Sequence, residues 1–130
     1  MAKSSKKIPW IALLEDPIYL RTIHLVVGDA GLSRKLIAKK TGADEDDLTS
    51  VVASHYGSVV TFKHGKYVIW LRNFKFDAVS IDTLVHEMTH LTFSVMQYVG
   101  MTLSDESEEA FAYYSGYITN QIIKLIQKHK

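Results

Sequence analysis

Apolar positions along the chain fall into two periods, and the switch between them marks the elements. TIHLVVG, from Thr22 to Gly28, is short, β-branched and closed by Gly-Asp, the pattern of a buried strand. From Asp29 to Thr41 the period lengthens, Leu32, Leu36 and Ile37 share one helical face, and Gly42 ends the helix. GADEDDLTS (42–50) reads as an acidic turn opening a short helical segment into Val51 and Val52. Two β-rich runs follow, SVVTF (58–62) and YVIWLRNF (67–74). Lys63-His64-Gly65-Lys66 joins them, and His-Gly suits a two-residue hairpin turn.

Beyond Phe74 the period is helical to the end. Asp77 or Ser80 is placed to cap a helix running to about Tyr98 and ending at Gly100. A last helix starts near Ser104 or Asp105 and reaches about Gln127, where lysines complement its dipole. The order β-α-β-β-α-α predicts an α+β fold, with a small sheet on one side and the two long C-terminal helices on the other.

Length and charge narrow the picture. The chain has 130 residues, which predicts one domain over 1–130 with about seven flexible residues at its start. Fifteen basic against 14 acidic residues give a formal charge of +1, so no global field steers it toward nucleic acid or an anionic membrane. The early apolar stretch is interrupted by Glu15, Asp16 and Pro17, unlike a signal peptide, and no stretch is long enough to span a bilayer. A cytoplasmic protein is the expectation. Cysteine is absent, so a metal site here would use His, Asp or Glu.

One pentapeptide carries candidate chemistry. His86-Glu87-Met88-Thr89-His90 lies inside the first long helix, where residues four apart stack on one face. His86 and His90 can then direct both imidazoles at one zinc ion about 2 Å away. Glu87 stands beside the first ligand, where its side chain can take a proton from a metal-activated water. Leu84, Val85, Met88, Leu91 and Val95 remain for the core. Two half-exposed histidines on a surface helix are the plainer alternative.

A catalytic zinc needs a third protein ligand. Downstream, SDESEEAFAYYSGY offers Asp105, Glu106, Glu108 and Glu109. Asp105 and Glu108 have capping-box spacing, which gives Glu108 a structural task, and Glu106 shares the side of Tyr113 and Tyr117. Glu109 shares its face with Ala112, Gly116 and Asn120, small enough to admit close helix packing, and is favoured over Glu108 and Glu106. Tyr113 and Tyr117 are candidate phenol donors to a developing oxyanion, with core packing the simpler role. His55 and Arg72 are further candidates, for which a surface role is simpler.

HEMTH followed after eighteen residues by Glu109 resembles the gluzincin pattern of zinc metallopeptidases, and Glu109-Ala110-Phe111-Ala112 resembles the Glu-Gly-Phe-Ala stretch of zinc aminopeptidases. The segment from YVIWLRNF to SEEAFAYYSGY is similar to small phage-associated metallopeptidase-like proteins. The resemblance implies one zinc ion on His86, His90 and Glu109, Glu87 as general base, a zincin-like core, and a peptide or protein substrate. It also implies a strand near the site that pairs with extended substrate, for which Tyr67 to Leu71, with Tyr67 and Ile69, is the candidate. A phage origin would place the protein in the host cytoplasm. Tyr113 stands where thermolysin-like enzymes carry an aspartate, and the aminopeptidase substrate motif is absent, so aminopeptidase specificity is not implied.

Two other readings compete. A non-catalytic phage interaction protein could retain the same metal site. RKLIAKKTGADEDDLTSVVA (34–53) has helix-turn-helix spacing, but its second helix would open on Asp44-Glu45-Asp46-Asp47, which repels phosphates. No nucleic-acid or membrane partner is expected, and the oligomeric state is left open.

Overall fold

A computed structural model describes residues 8–53 and 55–129, so the expected flexible start at 1–7 lies outside the described residues. The fold is α+β. Four strands, β1 (Trp10–Glu15), β2 (Thr22–Val27), β3 (Gly57–Phe62) and β4 (Lys66–Leu71), form one sheet in the order β1-β2-β4-β3. β1 runs antiparallel to β2, β2 parallel to β4, and β3 antiparallel to β4. Three α-helices cover it: α1 (Ala30–Thr41), α2 (Ala78–Tyr98) and α3 (Glu108–His129).

Burial on both faces explains the composition of the middle strands. Ile23, Leu25, Tyr67, Ile69 and Leu71 turn toward Leu84, Met88, Leu91 and Val95 of α2 and Phe111, Tyr114, Ile118 and Ile122 of α3. Val26, Val68 and Trp70 turn the other way, onto Ile37 of α1 and the Leu48 and Val52 segment. A strand covered on both faces reads as a continuous apolar run. The two long helices share one face as expected, while α1 adds a layer on the opposite face.

β1 went unread because its apolar residues also serve both faces, Trp10 and Leu14 packing with α3's core and Ile11 with α1's, which hides the alternation. Residues 63–65 form the hairpin loop, with His64 and Gly65 both at positive φ, one residue longer than expected because Phe62 pairs with Lys66. Gly42 does cap α1 in the left-handed conformation, its N–H reaching the Ala38 carbonyl. Asp77, not Ser80, caps α2, its carboxylate accepting from the Ser80 N–H at 2.9 Å. The helix-turn-helix reading fails here: Glu45–Leu48 is a single 3-10 turn, too short for a recognition helix. Among the described residues no helix is long and apolar enough to cross a membrane.

Asp16 ties the chain start to α3. Its buried carboxylate accepts from the Ile18 and Tyr19 N–H groups and, at 2.8 Å, from the Tyr114 hydroxyl. Tyr114→Phe leaves that carboxylate short of a donor and should lower stability by about 1–3 kcal/mol in urea unfolding; an unchanged midpoint would contradict the link. His24, half-buried on β2, is harder to protonate than a free histidine, first because burial desolvates it and then because Lys40 and Lys66 repel the added charge. The unfolded chain therefore binds this proton more readily, and the associated stability, complete above pH 6.5, is lost as the pH falls through the folded-state value. His24→Gln should lose less stability than the parent between pH 7.5 and 5 in paired urea titrations.

Candidate metal centre and groove

The seam that seats α2 on the sheet also orients HEMTH. Leu84, Met88, Leu91 and Val95 recur at three- and four-residue intervals and face inward, which leaves His86 and His90 on the exposed side. Their Nε2 atoms converge to 3.1 Å, with the rings edge to face. Two nitrogens sharing one ion at about 2.0–2.1 Å in tetrahedral geometry stand about 3.3 Å apart, so the pair is nearly set for a common ligand point. Glu87 is rotated toward the sheet side and is only 7% exposed.

Glu87 and His90 line a groove with Ser94 on α2, with His55 just before β3, and with Gly57, Ser58, Val59 and Thr61 along β3. Burial pushes the Glu87 carboxyl above its ordinary pKa, while His86, His90 and His55 pull it back. His55 stands at this groove, and its Nε2 lies 3.1 Å from the Ser50 carbonyl. His55, a further candidate in the sequence, stands 32 positions before Glu87, and the fold brings the two to one groove.

The other wall is the free edge of the sheet. Arg72 donates its N–H to the Tyr56 carbonyl at 2.9 Å, so the ladder bonds of this hairpin fall on Ser58, Val60 and Phe62. Gly57, Val59 and Thr61 consequently point their N–H and C=O groups outward, into the groove. The expected edge strand is corrected by one position in the sheet. Tyr67 and Ile69 belong to β4, hydrogen-bonded on both sides by β2 and β3 and 3% and 0% exposed, so no added strand can reach them. The hydrophobicity that marks β4 as near the site also marks it as interior.

The carboxylates of α3 are arranged differently from the sequence reading. α3 begins at Glu108, later than the expected Ser104 or Asp105, and in the turn before it the Ser104 N–H donates to Ser107 Oγ at 2.8 Å and the Ser107 N–H to Ser104 Oγ at 3.3 Å. Glu108 is thereby released from capping, and it lines a hollow between α2 and α3 with Thr89, Phe93 and Ala112. Glu109 is exposed, and the small residues beside it do not serve close packing, because a Cβ added at Gly116 would meet nothing within 4 Å. Among the described residues no cluster of three His, Asp or Glu groups is gathered at metal-holding distance. Tyr113 is 75% exposed, Tyr117 is half-buried, and neither lines the groove. Arg72 has a structural role, donating to the Ala53 carbonyl at 3.0 Å.

No family model, curated protein or solved structure matches the chain.

At Gly57 the edge is tightly packed, and a Cβ there would lie 2.9 Å from the Trp70 carbonyl oxygen and 3.1 Å from Thr83 Cγ2 of α2. Gly57→Ala should therefore cost about 1–3 kcal/mol by urea unfolding. A midpoint equal to the parent's would show that β3 does not press on the helix here.

Proposed function

We propose that the protein is a zinc-dependent metallopeptidase, and the observation that carries this is the convergence of His86 and His90 Nε2 to 3.1 Å beside a groove containing Glu87. Two imidazoles and a carboxylate suit zinc, and a third ligand would come from the first turn of α3. When bound, the ion would supply Lewis acidity, polarising the scissile carbonyl and acidifying water. Glu87, largely desolvated, is the base that takes the water's proton and returns it to the leaving amine. Gly57, Val59 and Thr61 hold the substrate backbone through their outward N–H and C=O groups, which leaves α2 to present the chemistry.

Glu109 is the third ligand on sequence spacing and resemblance. The release of Glu108 from capping, together with its place on the α2 side of α3, favours a second assignment, to Glu108. A non-catalytic phage interaction protein keeping the same ion is the alternative at the level of function, and turnover separates the two.

Metal content after zinc loading and dialysis tests the ligand set. About one equivalent should remain in the parent and in Glu87→Gln, and His90→Ala should lose it. Glu109→Gln should release zinc while Glu108→Gln retains it; the opposite pattern would move the third ligand to Glu108. Glu87→Gln should also lower peptide hydrolysis by about 10²- to 10⁴-fold. Zinc that survives His90→Ala, or hydrolysis that survives Glu87→Gln, would overturn these roles.

A further inference from the structure

The groove does not stop at the histidines. Along α2, a single stripe of residues, Val79, Thr83, Glu87, His90, Ser94 and Tyr98, lines three hollows in succession. The middle hollow shares Thr61 and Ser94 with the one that ends at Tyr98. It shares no residue with the one beginning at Val79, and the two come together at Gly57 and Thr83, where a Cβ on Gly57 would lie 3.1 Å from Thr83 Cγ2. Val79 lies eight helical positions before Glu87, and Tyr98 eight after His90. At 1.5 Å per position each arm is about 12 Å long, room for three to four extended residues.

The reacting groups therefore stand at the middle of the trough. An enzyme that trims chain ends fixes a terminal charge within about one residue of the cut bond. Lys75 lines the hollow at the Val79 end, the length of an arm away from Glu87, and the two other charged groups at the far ends are otherwise occupied. Asp77 caps α2 through the Ser80 N–H, and Arg21 stacks on Tyr98 at 4.3 Å while donating from Nε to the Tyr19 carbonyl. Neither lies where a terminus would sit. Recognition along the trough comes from main-chain groups at Gly57, Val59 and Thr61, which read an extended backbone and not its ends.

We infer that the site takes an internal stretch of about six to eight extended residues, so that the protein is an endopeptidase acting on unfolded or loop segments; this rests on the metallopeptidase reading. Two measurements separate the claims. Zinc-loaded protein is incubated with unfolded casein, and the products are sequenced by mass spectrometry. Internal fragments several residues long are expected, whereas single residues released in order from one end would overturn the inference and leave the peptidase reading standing.

The second measurement needs no turnover. Amide NMR of Glu87→Gln is recorded with an acetylated, amidated octapeptide of mixed Thr, Ser and Val residues, with the same peptide carrying free ends, and with a tripeptide. The two octapeptides should bind within about twofold of one another and shift the Gly57, Val59 and Thr61 amides, with the tripeptide at least tenfold weaker. Thr61→Pro removes only an outward N–H, a change that edge strands tolerate, and should weaken octapeptide binding by about tenfold with the fold retained. Binding that requires a free terminus, binding insensitive to Thr61→Pro, or no octapeptide binding at all would refute the open trough even if casein were cleaved.

Discussion

Helix α2 is held to the sheet along Leu84, Met88, Leu91 and Val95, and the placement of His86, Glu87 and His90 follows from that seam. Once these four side chains are buried against Ile69, Leu71 and their neighbours, the helix has no rotational freedom left. Its pitch then sends His86 and His90 to solvent and turns Glu87 toward β3. The same seam brings the helix close under the sheet edge, where a Cβ on Gly57 would come within 3.1 Å of Thr83 Cγ2. A shift of one residue in this packing would carry the histidines about 100° around the helix and dismantle the groove.

Burying a carboxylate as deeply as Glu87 is unfavourable, and the nearby histidines only partly offset it. Such conflicts concentrate at functional sites. The outward N–H and C=O groups of β3 are a second conflict, since a bare sheet edge invites association with other chains. β3 is short, and a helix flanks its groove, which limits that hazard while leaving the edge open to an extended ligand.

Much of this was legible in the residues. The six elements from β2 to α3 and the α+β class follow from periodicity, because a helix buried on one side and a strand bounded by turn residues each leave a clear trace. Asp29, Gly42 and Asp77 marked helix ends through local chemistry that tertiary structure did not override. What escaped is long-range. β1 hid its alternation by packing on both faces, and the edge of the sheet was placed on β4 because strand order is not written in the sequence of any one strand. The start of α3 fell later than expected, at Glu108, with Ser104 and Ser107 bonded to each other in the turn before it. His55 joined the groove through a chain reversal that no local pattern records.

The convergence of two imidazoles on one point is the central claim, and it is most directly tested by X-ray absorption at the zinc edge of the loaded protein. Two imidazole ligands completed by oxygen donors are predicted, with metal–nitrogen distances near 2.0–2.1 Å. A spectrum of oxygen donors alone, the signature of an ion held away from HEMTH, would contradict it.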